Sequence, residues 1–591
     1  MTTIAPPEPR TAPTSDPGSP QRLRPPLRWR RGVLNALIVA FVLVAIYAFV
    51  DIGVNPLTLY FERDDIGNLL SRMWAPRLDN VSSVMSHALD TFFMAFAGTV
   101  FAFVLALPLA FLAARNITSN SAVRAVARAV IVLTRALPDL VLALIFVRVW
   151  SIGVLPGIVA LGIHSVGMLG KLFADAIEEI DEGPRDGVAA TGASRIQELT
   201  GGVLPQIVPG LIAVTLYRLD INFRSATLLG IVGAGGIGLD IKVAQGALDY
   251  PQLLGVTLVI IAMIVVFELI STGVRSVVLG QESDDRSWLS RLIARRLTNT
   301  VATHKSAAID GEPIDDDQHR PETPSVGKAR TADLRPPWNR ERITMYAFAV
   351  VCVLMLVLAP IKTGVSVIEF ITGLPDIPTT FWRLVPTDFS WWDSTYTQRF
   401  VETVLMGFAA TALALIFAIP TGFLAARNVA PARWVYGVAR TFILGMRALP
   451  DLIVAVIFVA ALGLGPKPGV LALAIGLYAF ASKLFADSIE EVSEGPRDGI
   501  RSTGASPVQE SFTGVLSQAM PSLAGNSLYL LDIAIRSSTI LGIVGGGGIG
   551  FVLISASRLL MWDVLGGLLA ITFVLVYAIE LLSGWVRKQL I

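Results

Sequence analysis

Apolar residues gather in runs of about twenty, set apart by short polar stretches, and this pattern by itself predicts a chain of membrane-crossing helices. The runs fall near 34–52, 91–113, 128–150, 153–173, 203–220 and 252–273, and again near 343–360, 402–425, 438–461, 468–486, 514–535 and 562–584. At the helical rise of about 1.5 Å per residue each approaches or exceeds the thickness of a bilayer core. The expectation is an all-α polytopic protein with about twelve transmembrane helices.

The two sets of six are copies. Residues 90–238 recur without a gap at 402–550, 312 positions further on. In the strongest block, Lys171–Gln197 against Lys483–Gln509, 19 of 27 positions are identical. A period that long is a duplicated domain rather than a solenoid unit. An even number of spans per copy makes the repeats parallel, related by an axis along the membrane normal. The boundaries expected are a disordered cytoplasmic tail (1–32), a first six-span unit (33–275), a polar cytoplasmic linker (276–341) and a second unit (342–591). Within the linker, Ser287–Leu297 reads either as a basic amphipathic helix on the inner surface or as a continuation of the sixth span.

Charge fixes the expected orientation. Arg22, Arg24, Arg28, Arg30 and Arg31 precede the first span, and Arg115, Arg124 and Arg128, repeated as Arg427, Arg433 and Arg440, follow the second, so these segments and both termini are placed in the cytoplasm. The segments 51–89 and 361–399 fall outside and carry Trp74, Trp382, Trp391 and Trp392, suited to a membrane interface. The first 30 residues contain no apolar core and so are not a cleaved signal.

Composition narrows the chemistry. Apolar residues make up 53% and charged residues 16%, against about a quarter charged in soluble domains, and mean hydropathy is +0.64. The net charge of +1 gives no sign of nucleic-acid binding. One cysteine, Cys352, excludes an internal disulfide, and His87, His164, His304 and His319 lack metal-ligand spacing, so no metal is expected. No G-x-x-x-x-G-K-[ST] phosphate loop is present.

The most strongly repeated segment is polar: Glu178 and Glu179, then EGPRDGVAATGAS, with Glu490 and Glu491 opening the second copy. Physically it suits two short helices hinged at a glycine, Gly192 or Gly504, that seat in a partner's groove. It resembles the cytoplasmic loop signature of bacterial ABC importer permeases, with Asp186 at the signature's glutamate position, Gly192 at its glycine and Leu204-Pro205 at its closing dipeptide. Gly202 stands where that signature has isoleucine. In the second copy Asp498 and Gly504 match, while Leu516 is followed by Ser517, so the proline is lost.

More narrowly, FLAARN (Phe111–Asn116 and Phe423–Asn428), RALPDL (Arg135–Leu140 and Arg447–Leu452), KLFAD, EGPRDG, TGAS and FRSATLLGIVGAGGIG (Phe223–Gly238) are similar to the phosphonate ABC importer permease family over most of both halves. The resemblance implies a type I importer architecture with two permease units fused in one chain. The chain itself is then not an enzyme and carries no cofactor; ATP and Mg belong to two ATP-binding subunits on the cytoplasmic side, and a phosphonate-binding protein meets the outer face. It implies ATPase coupling by loops at about 177–202 and 489–514, through Glu178, Glu179, Asp186, Gly192 and Ala193 and through Glu490, Glu491, Asp498, Gly504 and Ala505. The loop reports the engine rather than the cargo, so phosphite and phosphate remain alternatives. A twelve-span secondary transporter is a third reading, which leaves the repeated loop without a purpose.

Charges inside spans are costly and therefore informative. Arg135 and Asp139, repeated as Arg447 and Asp451, stand four apart, and so do Asp220 and Arg224, repeated as Asp532 and Arg536, at the outer end of the fifth span. Each pair reads either as a structural lock or as part of an anion path. The runs holding Gly233, Gly235 and Gly236, and Gly545, Gly547 and Gly548, mimic a dinucleotide fingerprint, but no βαβ unit surrounds them; they suit close helix packing. His164 has Gly476 as its counterpart and reads as hydrogen-bonded packing rather than a shared proton relay.

Overall fold

The computed structural model describes residues 29–55, 58, 60, 62–279, 340–386, 389–447 and 449–590, and among these every regular element is a helix. The expected tail up to residue 28, nearly all of the linker and the Ser287–Leu297 segment lie outside the described residues, while 29–32 of that tail open α1. The first half comprises α1 (Trp29–Ile52), α2 (Arg63–Met73), α3 (Val81–Ala113), α4 (Ser121–Ala136), α5 (Asp139–Trp150), α6 (Val154–Glu178), α7 (Glu182–Ala190), α8 (Arg195–Glu198), α9 (Leu204–Leu229), α10 (Gly238–Gly246) and α11 (Tyr250–Leu279). The second comprises α12 (Arg340–Thr363), α13 (Val367–Gly373), α14 (Asp376–Arg383), α15 (Ser394–Leu424), α16 (Arg433–Arg447), α17 (Asp451–Leu462), α18 (Pro466–Glu490), α19 (Glu494–Arg501), α20 (Pro507–Glu510), α21 (Ser517–Ile543), α22 (Gly548–Arg558) and α23 (Trp562–Leu590).

Each half is built around one close helix pair, α3 with α6 and α15 with α18. Small residues make this possible. Ala95, Ala102, Ala106 and Ala110 of α3 are fully buried, and a methyl group on Gly98 would lie 3.1 Å from the Ile158 carbonyl oxygen of α6. Lipid supplies no hydrophobic push between helices, so such backbone proximity and its dispersion contacts hold them together. The start of α3 is capped by Asn80, whose side chain accepts from the Ser83 amide at 3.2 Å.

The twelve apolar runs fall on eight unbroken helices, three bent helix pairs and the shorter apolar helix Ala36–Ile52. The run expected as a single span at 128–150 is α4 and α5 meeting at 90°, and its copy is α16 and α17 at 77°. Proline is the cause. Pro138 cannot donate to the helix ladder, and it drives Leu137 to an extended ψ of 121°. This corrects one expectation: Arg135 and Asp139 sit on two crossing helices, so their four-residue spacing does not put them on one face. A second correction concerns α9, which continues to Leu229, so Asp220 and Arg224 lie inside the helix rather than at its end.

The leading helices are exchanged. α1 of the first half packs on α15 of the second, with Phe41 and Phe408 ring centroids 5.6 Å apart, while α12 of the second packs on α3 of the first. Lys362 at the end of α12 donates to Ser86 Oγ of α3 at 3.2 Å. At the same end of the bundle Lys467 Nζ meets Glu62 Oε1 at 2.5 Å, again joining the halves.

Candidate functional site

The repeated polar loops form at the other end, between α6 and α9 and between α18 and α21. Asp181 accepts from the Gly183 amide at 2.9 Å and starts α7. The chain then turns at Gly192, whose φ of +79° is costly for any residue with a Cβ. Ser194 and Gln197 form a capping box that starts α8, and a π-helical turn, Leu199–Val203, leads into α9. The second copy repeats the plan, with Gly504 at φ +79°, a Ser506–Gln509 capping box and the π-helical turn Ser511–Leu516. A methyl group on either glycine meets nothing within 4 Å, so the requirement is conformational.

Arg185 and Arg497, within the EGPRDG motif, hold this hairpin to the body. Arg497 donates from Nε to Glu510 Oε1 at 3.0 Å and from Nη2 to the Asn428 carbonyl at 2.7 Å, and its side chain is only 6% exposed. Arg185 reaches Glu198 and the Asn116 carbonyl in the same way, the latter at 3.0 Å. Asn116 and Asn428 in turn donate to the Ile177 and Ile489 carbonyls, at 2.6 and 2.7 Å. Thus FLAARN and EGPRDG, far apart in sequence, are two sides of one joint. The sequence carries both motifs but not their contact, although a charged residue inside each repeated motif is the available signal.

The predicted coupling residues divide into two groups. Glu178 faces inward: its Oε1 accepts from the Arg115 amide at 2.9 Å and from Arg128 Nη2 at 2.6 Å. Glu490 does the same with the Arg427 amide at 2.8 Å and Arg440 Nη2 at 3.0 Å. Glu179, Asp186, Gly192, Glu491, Asp498 and Gly504 are exposed, and Ala193 and Ala505 half-buried. Beside them the hairpins present apolar side chains: Ile196 is 74% exposed, Val508 65% and Phe512 65%.

The two hairpins are not equal. Arg501, which replaces Ala189, donates to the free oxygen of Glu510 at 2.8 Å. Hydrogen bonds from Arg501 and then Arg497 hold the Glu510 carboxyl below the usual range, and Arg501 is correspondingly raised by Glu510. In the first hairpin the hydrogen bond that Arg185 donates to Glu198 raises Arg185.

Deeper in the bundle, charges gather where the halves meet. Arg224 donates to Asp220 at 3.3 Å, to Glu268 at 3.4 Å and across the halves to the Arg447 carbonyl at 3.3 Å. Arg536 pairs with Asp532 at 3.2 Å. Asp139 accepts from the Leu140 amide at 2.8 Å in the first turn of α5, and Asp451 lies against Gly476, where any side chain would collide with its carboxylate. The first-half counterpart of that glycine, His164, bonds the Leu137 carbonyl at 2.9 Å. A cleft of about 400 Å³ lined by Ser488, Glu491, Pro521, Ser522, Gly525, Asn526 and Tyr529 opens beside the second half.

Sequence reasoning passed over one buried set altogether. Arg218 Nε donates to Ser165 Oγ, Ser165 to Asn222 Oδ1, and Asn222 Nδ2 to Thr99 Oγ1, each at 2.9 Å. Among the counterparts only Thr411 keeps its type; Leu530, Leu477 and Ala534 replace the other three. A search guided by what the copies share does not find a residue only one copy has.

The glycine runs close α9 and α21. A methyl group on Gly236 (φ +76°) would lie 2.5 Å from Thr91 Oγ1, which accepts the Ile237 amide at 2.9 Å; Gly548 (φ +68°) and Thr403 repeat the clasp. Gly233 and Gly545 pass their carbonyls to the Gly153 and Gly465 amides. Backbone thus packs on backbone without room for side chains.

Two parallel copies of a polytopic helical unit, each offering an arginine-braced hairpin at one end, define a duplicated transport permease. Both halves match one family, the binding-protein-dependent transport system inner membrane component, over residues 106–278 and 418–590, and the chain belongs to that family. The phosphate-import permease protein PhnE of Mycolicibacterium smegmatis is 42% identical over 536 residues, 91% of each chain. The phosphite transport system permease protein PtxC of Stutzerimonas stutzeri is 38% identical over 247 residues, covering 42% of this chain and 89% of that one, so a relative can consist of a single unit.

Proposed function

We propose that this chain is the membrane-embedded subunit of an ATP-driven importer for phosphorus oxyanions: phosphonate in the first instance, with phosphite and phosphate as alternatives. The observation carrying the reading is the hairpin, built twice on the same arginine joint and fused to helices that reach the junction of the halves. Relatives named for phosphate and phosphite import support the cargo class. The exposed Glu179, Asp186 and Ala193, with Glu491, Asp498 and Ala505, meet two ATP-binding subunits in the cytoplasm, where both termini also lie; Gly192 and Gly504 let each hairpin turn. Glu178 and Glu490 contribute by bracing the hairpins. ATP and Mg act on those partner subunits, and an oxyanion-binding protein delivers cargo at the opposite face. Arg135, Asp139, Arg224, Arg447, Asp451 and Arg536 border the path between the halves, Arg224 and Arg536 tied by their own carboxylates.

Affinity purification of the tagged chain in mild detergent, with mass spectrometry of what accompanies it, tests the assembly. Two ATPase subunits per chain are expected; a chain that purifies without one under conditions that preserve uptake overturns it.

A further inference from the structure

We propose that Arg218, carried by the first half alone, is the residue that recognises the oxyanion head of the cargo as it crosses the membrane; this rests on the cargo reading above. Arg218 is 4% exposed, on a helix long and apolar enough to span the bilayer. An arginine there is expensive unless it is paired or serves transport. It has no ion-pair partner among the described residues. Its single hydrogen bond, from Nε to Ser165 Oγ, leaves both terminal nitrogens without a partner, and neither is among the fully sealed atoms that lack one. The Ser165–Asn222–Thr99 chain fixes the guanidinium by its inner edge and leaves its outer fork free.

This stretch of α9 runs at the junction, for Arg224, six residues further on, donates to the Arg447 carbonyl of the other half at 3.3 Å. Ser165, which takes the Arg218 hydrogen bond, follows His164, and His164 bonds the Leu137 carbonyl at the break between α4 and α5. Two parallel N–H groups match two oxygens of a tetrahedral oxyanion, which a lysine's point charge does not do. Release is built in as well, since the second half offers Leu530 in place of a second arginine. The cargo is therefore held from one side only.

The test is uptake of labelled phosphate, phosphite and methylphosphonate by cells stripped of their own phosphorus importers and expressing the full importer. Arg218→Leu installs the residue found in the second half. Uptake is expected to fall roughly tenfold or more, as for losing hydrogen bonds to a charged group, with unchanged chain and ATPase in the membrane, while Arg218→Lys retains part. If Arg218→Leu fails to accumulate, the triple variant with Ser165→Leu and Asn222→Ala reproduces the apolar set of the second half and restores packing. Accumulation without uptake in that variant supports the proposal. Wild-type uptake in an accumulating variant, or failure of Arg218→Lys and the triple variant alike to accumulate, overturns it. A wild-type chain that takes up none of the three anions instead removes the cargo reading.

Discussion

Gly192 and Gly504 differ from the glycines near α10 and α22 in what they are for. The first two have open space around them and need only a left-handed φ; replacing either with valine costs about 1–2 kcal/mol locally. Gly192→Val is expected to keep normal amounts of chain in the membrane while uptake falls, as measured by membrane quantification beside transport. Gly238 is the opposite case, for its added methyl would stand 2.5 Å from the Thr227 carbonyl oxygen. Gly238→Ala is expected to deplete the folded chain itself. Arg497 gives a third outcome. It and Glu510 are both buried, but Arg501 holds the other oxygen of that carboxylate at 2.8 Å, so Arg497→Ala loosens the joint to the Asn428 carbonyl without stranding the charge. Proteolysis within 182–203 for Arg185→Ala should therefore rise more than it does within 494–516 for Arg497→Ala, because Ala189 stands in the first hairpin where Arg501 stands in the second.

At the scale of elements, what was legible in the sequence follows from what a pattern can encode. The hairpin could be anticipated from a polar stretch with a central glycine, because caps and turns are local chemistry. The bend at Pro138 was hidden because an apolar run reads the same whether straight or folded back, and the shared helical face of Arg135 and Asp139 went with the continuous helix it assumed. The Glu178 brace needed partners, Arg115 and Arg128, that only tertiary contact supplies. The second hairpin also responds to acid, through the lowered carboxyl of Glu510. A carboxylate held below its usual range contributes stability above the unfolded value, and loses it as pH falls through the folded one. Hydrogen exchange in 494–516, corrected for intrinsic rate, should therefore be flat from pH 8 to 5.5 and rise only below about 4.

The whole molecule is a duplication in which the copies have taken different parts: Arg501 strengthens one hairpin, and Arg218 appears in one half only. Fusion keeps such unequal halves paired one to one, which a single-unit chain associating with itself does not allow. The exchange of α1 and α12 adds a temporal dimension. When α1 leaves the ribosome its seat on α15 has not been made, and about 370 residues separate the two, some tens of seconds of synthesis at 5–20 residues per second. Until then α1 stays in lipid as an unclaimed helix, and the first half cannot close before the second is born. Chains truncated before Ser394 should leave α1 exposed to membrane proteases, and separate expression of a fragment from 340 onward should shield it again. In this reading the crossed helices act as a check on completion, marking a half-made permease for removal before it can form a leak.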